Sequence, residues 1–312
     1  MNETLKKSIY KTLVYFDLFS YPLTREELYH YLWEYKDELP YIDFFNALEK
    51  LEDARIISTG GYYMLKGREG IIAVREKRQW FIKKKMHIAK KAARLYRFIP
   101  FVRAMFVCNQ LPVGVEEDSD IDVFIVVKNG RIWITRFLVT IITAFRGIRR
   151  SNRNVENRIC LSFYGVDTAL NFSGICIEES PDIYLAYWLQ TLLPIYDSGN
   201  VYREVQLANN WTDEYVRMQY EYKLNTMWGV SDKWYTRMVK RFFEIAWNGG
   251  YGNMVNDMAK QVQQQKMKKN KTSLQHAPDS RVIISDDMLK FHENDRRHLF
   301  LSRWQEACLD IA

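Results

Sequence analysis

Residues 120–127, DIDVFIVV, constrain the fold more than any other stretch of this chain. From Val123 to Val127 every residue is apolar, and a strand apolar on both faces belongs in a sheet covered by helices. Asp120 and Asp122 are two residues apart on that strand, so their carboxylates point to the same face. They stand at its start, beside a loop, which confines them to the edge of a dry core. Two neighbouring carboxylates repel, and a divalent cation removes the repulsion. Magnesium prefers oxygen ligands and is commonly held by one or two carboxylates together with substrate phosphates. The plainer alternative is a polar loop end with two solvated aspartates, which SDID alone would favour.

The surroundings extend the pattern. A strand is expected at Val102–Cys108, followed by the loop NQLPVGVEEDS, the acidic strand, and a stop at Asn129-Gly130. A buried helix is expected from about Arg131 to Phe145, then a polar loop, GIRRSNRNVENR, and a third strand over Arg158–Tyr164. The apolar run Ile132–Phe145 is too short to span a bilayer and contains Thr135, Arg136 and Thr140, so no membrane contact is expected. With 47% apolar and 15% aromatic residues in 312, two or three folded domains are expected, and seven Pro with fourteen Gly favour helices over a turn-rich fold. Cys108, Cys160, Cys176 and Cys308 form no CxxC pair, and the N-terminus lacks a signal-peptide core. A reducing, cytoplasmic setting follows as the expectation.

The first 66 residues read as a module of three helices and a hairpin. Leu5, Ile9, Leu13 and Phe16 give helical spacing over 3–19, and Thr24 with Glu27 forms a capping box before a second helix at about 25–34. A third helix runs from Tyr41 to about Asp53, and two short strands flank Thr59-Gly60-Gly61. That order is winged-helix-like. The third helix is acidic, which argues for a protein-contact or packing role over DNA reading.

The charge is concentrated. Of the formal +7, residues 66–103 hold thirteen Lys or Arg against Glu69 and Glu76, and the remainder nets −4. The stretch reads as a long amphipathic helix, with Trp80, Ile82, Ile88, Ala92, Leu95 and Phe98 among the charges. It is either a solvated connector or a face for nucleic acid or substrate phosphates.

In FVCNQLPVGVEEDSDIDVFIVV the chain resembles the DNA polymerase β-type nucleotidyltransferase superfamily, whose members carry a strand, a Gly-Ser turn and then an Asp-x-Asp pair. The match covers residues 102–164, roughly a fifth of the chain. The resemblance implies that Asp120 and Asp122 ligate magnesium (or manganese) on a nucleoside triphosphate, and that the turn at Cys108-Asn109, with Ser119, contacts its phosphates. Here Cys108-Asn109 replaces Gly-Ser; the Asn109 amide can donate to phosphate, whereas Cys108 carries a Cβ where glycine allows close approach. Active members also add a third carboxylate on the next strand. RICLSFY has none, so Asp167, just beyond its end, is the candidate, with Glu156 before it.

The rest, 181–312, reads as a helical C-terminal region with a flexible segment near 262–280. His292 reads as part of a surface helix with local ion pairs, and Glu116, Glu117 and Asp118 as solvated. The expected fold class is therefore α+β: a winged-helix-like module (1–66), a basic connecting helix (67–100), a small mixed-sheet nucleotidyltransferase-like domain (101–180) and the helical remainder. The expected function is transfer of a nucleoside monophosphate from an NTP to a hydroxyl of a small molecule, protein or nucleic acid. The alternative is a degenerate transferase fold acting as a nucleic-acid- or protein-binding module. No Ser/His/Asp arrangement, GxGxxG or GxxxxGK[ST] motif is present.

Overall fold

The structure, a computed structural model, describes residues 2–108, 115–151, 153–177, 181–217, 227–269, 274–277 and 279–309. Helix α1 (Glu3–Asp17) is capped by Asn2 and buries Leu5, Ile9, Leu13 and Phe16. Strand β1 (Leu23–Thr24) leads into α2 (Arg25–His30), where Thr24 and Glu27 form the expected capping box. Helix α3 (Tyr41–Glu49) precedes β2 (Ile56–Thr59) and β3 (Tyr62–Leu65), and the three strands make an antiparallel sheet in the order β1-β3-β2. Gly60 and Gly61 turn the hairpin at φ of 60° and 81°, the left-handed pair that a two-residue hairpin loop requires.

The 26-residue α4 (Ile71–Tyr96) carries the basic stretch. Its inward face is not purely apolar. Met86, Ala89, Ala92 and Tyr96 are buried, but so are Arg75, Arg78 and Lys85, whereas Trp80 is 79% exposed. Arg75 pairs with Glu27 and donates to the Pro22 carbonyl, and Arg78 donates to the Phe19 carbonyl, so part of the cationic charge fastens α4 to the N-terminal module.

Beyond α4 lie β4 (Val102–Val107), β5 (Ile121–Val127), α5 (Ile132–Phe145) and β6 (Ile159–Val166), in the positions the sequence pattern predicts. The segment after them departs from the expected all-helical region. Helices α6 (Ile183–Gln190), α7 (Val201–Ala208), α8 (Trp234–Ala246), α9 (Gly249–Lys268) and α10 (Arg297–Cys308) alternate with three further strands. These are β7 (Leu193–Asp197), β8 (Val282–Ile284) and β9 (Met288–Phe291), and the resulting six-stranded sheet runs β7-β4-β5-β6-β9-β8. Among the strands of the described residues only β5 and β6 pair in parallel. The architecture is thus a mixed α+β fold whose main sheet takes strands from both the middle and the end of the chain.

Ile121, Val123, Ile125 and Val127 face the core shared with α4 and α5, while Phe124 and Val126 pack with Phe106, Leu185 and Trp188 on the opposite face. The N-terminal core is not self-contained, because Ile183, Tyr187, Leu301 and Trp304 from α6 and α10 pack into it. Residues 262–268, expected to be flexible, complete α9: Gln263 is buried and donates to the Trp133 carbonyl at 2.8 Å. Gln and Lys are good helix formers, and here amide hydrogen bonds add to the apolar contacts of Val255, Ala259 and Met267 in docking the helix. Residues 270–273 and 278 of that segment lie outside the described residues. Among the described residues no helix is long and apolar enough to cross a membrane.

Candidate metal and nucleotide site

Asp122 sits on β5 directly opposite Cys160 of β6, and Asp120 lies one residue before the strand begins. Because 120, 122, 124 and 126 share parity, both carboxylates project toward the α6 side of the sheet, as strand geometry requires. A carboxylate oxygen of each and the Cys160 sulfur all lie within 4.8 Å of one another. The expected convergence of the two aspartates is therefore present.

The acidic edge is braced from α4. Lys85, 1% exposed, donates to the Ser119 carbonyl at 2.5 Å. Ser119 also accepts from the Asn157 backbone, and Arg78 reaches Glu116 at 2.6 Å. Glu116, expected to be solvated, thus has a cationic partner. Burial holds the Lys85 ammonium below its ordinary range, against the opposing pull of Asp120 and Glu156.

The third carboxylate does not come from Asp167. In the parallel β5–β6 ladder Asp122 is level with Cys160 at one end, and Val127 with Val166 at the other. At about 3.3 Å per residue the two levels are about 17 Å apart. Asp167 is bound at that far end, accepting from the Asn129 backbone at 2.9 Å with Arg103 at 3.7 Å. Glu156 is exposed and faces Lys84 at 3.7 Å. The position beside Asp122 is filled instead by Cys160, whose thiol is pushed well up by burial and then by the two aspartates, and so stays protonated. A neutral, soft thiol is a poor magnesium ligand.

Arg150 is a second feature absent from the expected site. Its Nε lies 2.9 Å from Asp120 Oδ2, and a weaker contact of 3.6 Å reaches the Cys160 sulfur. Of the expected phosphate contacts, Cys108 follows β4 and its backbone donates to the Asp122 carbonyl at 3.0 Å, so the turn begins at the acidic pair. Its thiol is raised by burial and by Asp122. The Ser119 hydroxyl donates within its own loop, to the Glu116 carbonyl at 3.0 Å. Asn109, with the loop to Gly114, lies outside the described residues.

Asp122 also forms part of the wall of a cleft of about 280 Å³. Phe163, Tyr184, Trp188 and Phe300 supply its aromatic surface, and Lys290, His292, Arg296 and Arg297 its basic groups. Tyr184 stacks on Phe300 with ring centres 5.6 Å apart. Arg297 is locked by Asp182 at 2.7 Å and Asp295 at 2.9 Å, and Lys290 by Asp295 at 3.2 Å. His292 is not on a surface helix. It follows β9, bonds the Ser162 hydroxyl at 3.1 Å, and burial pushes its imidazole down to about 4. No short-range pattern predicts this wall, because β9 reaches β6 across more than a hundred residues of chain.

The two aspartates supply hard oxygen ligands suited to a divalent cation, which would displace Arg150 from Asp120 and draw its remaining ligands from water and phosphate. No family model matches the chain, and neither a curated protein nor a solved structure matches it.

Proposed function

We propose that this chain is a magnesium-dependent nucleotidyltransferase, moving a nucleoside monophosphate from an NTP to a hydroxyl acceptor. The observation that carries the reading is the convergence of Asp120 and Asp122 at the rim of a cleft with aromatic walls. Magnesium or manganese, when bound, would neutralise triphosphate charge and polarise the α-phosphate. Asp120 and Asp122 hold the ion. Tyr184 and Trp188 offer flat apolar surface to a nucleobase. His292 is neutral at physiological pH and so adds no charge to the wall, while Lys290 and Arg297 are already paired with Asp295 and Asp182. The N-terminal order of helix, strand, two helices and two strands supports the winged-helix reading of that module. Among the described residues no cysteine is in a disulfide, which suits a cytoplasmic setting. A thermal-shift screen of the four NTPs with Mg²⁺ or Mn²⁺ tests the reading: at least one pair raises the melting temperature of the wild type, and Asp122→Ala abolishes the rise.

Cys160 and Arg150 favour a second reading, a degenerate transferase fold that binds without catalysis. Its contact would be the exposed stripe Lys77, Trp80, Lys84, Lys91 and Arg94 on α4. Nucleic-acid binding with a steep salt dependence, unchanged in Asp120→Ala, would support this alternative over the first.

A further inference from the structure

Beside the acidic edge a second cleft, of about 330 Å³, is walled by Arg136 of α5, by Arg149 and Arg150 from the segment after that helix, and by Cys160, Phe291 and Glu293. Three guanidinium groups meet one carboxylate there. Arg150 is ion-paired with Asp120, but among the described residues Arg136 and Arg149 have no acidic partner within ion-pair distance. Arg136 is the informative member. Its guanidinium lies 4.8 Å from the Phe291 ring centre and one nitrogen donates to Gln263 at 2.6 Å, while its buried Nε has no hydrogen-bond partner. Arginine stays charged in proteins, and a largely desolvated charge beside another arginine is unfavourable unless an anion joins it. Stacking on Phe291 fixes the plane of the fork, the geometry that recognises phosphate through two parallel hydrogen bonds.

We propose that this cleft binds the phosphate group of a small phosphomonoester, gripped by Arg136 and Arg149, and that this compound is the acceptor. A phosphomonoester carries about −1.5 to −2 at neutral pH, matching the two guanidinium groups that lack acids. Glu293 on the same wall disfavours a longer polyphosphate. The role as acceptor rests on the transferase reading; the phosphate binding does not. In the transfer, the acceptor's hydroxyl oxygen bonds to the α-phosphorus of the NTP and the bond from that phosphorus to pyrophosphate breaks. Pyrophosphate leaves with the electron pair, and the hydroxyl proton passes to water.

The test is calorimetric titration of the full chain, without nucleotide, using ribose 5-phosphate, inorganic phosphate and unphosphorylated ribose. The two phosphates bind and ribose does not. Arg136→Met keeps an apolar stem against Phe291, Arg149→Gln alters an exposed side chain, and each lowers phosphate affinity about tenfold or more. Arg149→Gln keeps the test decisive if Arg136→Met does not fold. Asp122→Asn leaves phosphate affinity within about twofold while removing any Mg·NTP binding, which separates the two sites. If no NTP binds the wild type yet phosphate binding remains and depends on these arginines, the cleft stands and the transferase reading falls. The proposal is overturned if neither phosphate binds, if affinity is unchanged in Arg149→Gln, or if that variant loses Mg·NTP binding along with phosphate, which would assign the cleft to the triphosphate.

Discussion

Arg150→Ala isolates the question on which the metal site turns. The Arg150 side chain is 49% exposed and that of Asp120 19%, with 2.9 Å between Nε and Oδ2. A cation bound to Asp120 must displace this guanidinium. A half-exposed pair of this kind contributes about 0.2–1 kcal/mol, so deleting the arginine should raise divalent-cation affinity by about 1.4- to 5-fold. Loss of a positive charge near the bound ion acts in the same direction. At about 5 Å in a water-like dielectric, the repulsion between a divalent ion and a guanidinium is about 1.7 kcal/mol before salt screening, or about 18-fold, so a gain of about fivefold is the minimum expected. The assay is titration of Mn²⁺ followed by electron paramagnetic resonance of the free ion, in the wild type and in Arg150→Ala, with Asp120→Asn as the control that removes binding from both. If Arg150→Ala folds normally and binds Mn²⁺ no better than the wild type, the guanidinium and the ion are not competing, and Asp120 is not a ligand.

Three further outcomes follow from the geometry. Asp167→Asn should leave any Mg·NTP thermal shift intact, since its carboxylate caps the turn at Asn129 about 17 Å from the acidic pair, while lowering stability in urea by about 0.5–2 kcal/mol. Lys85→Met should lose about 1.5–3 kcal/mol of stability by the same denaturation measurement, because the charged donor to the Ser119 carbonyl is removed from a buried position. His292 titrates at about 4 in the folded chain and near 6.5 when unfolded, so the unfolded state binds the extra proton between those values. Stability is therefore full above pH 6.5 and falls as pH drops toward 4; His292→Gln should flatten that slope in acid-denaturation curves, and an unchanged slope would show that the imidazole is not buried as described.

The elements legible in the sequence are those whose signals are local. The apolar strands β4, β5 and β6, the Thr24–Glu27 cap and the Gly60-Gly61 hairpin all announce themselves within a few residues. Strand β7 was hidden because Pro194 reads as a helix stop, yet it lies at the sheet edge, where a missing N–H is tolerated. Strands β8 and β9, three and four residues long, are too short to display an alternating period. The inward-facing Arg75, Arg78 and Lys85 defeat any reading in which charge marks the solvent face, since each donates to a carboxylate or carbonyl contributed by distant chain. For the candidate site, the same rule holds. Asp120 and Asp122 declare themselves by spacing, whereas Arg150, Cys160, His292 and the aromatic wall depend on which strands meet, and only the fold decides that.

The late arrival of β9 and α10 has a consequence for how the molecule is made. Lys290, His292 and Arg297 follow β6 by more than a hundred residues, and Trp304 donates to the Lys11 carbonyl at 2.9 Å, so α10 closes onto α1. During synthesis the central strands emerge with one flank of β6 bare and the cleft lacking a wall. A ribosome-bound chain stalled before residue 288 would present an unpaired strand edge and a cleft without one of its walls, so the cleft takes shape only after β9 has emerged.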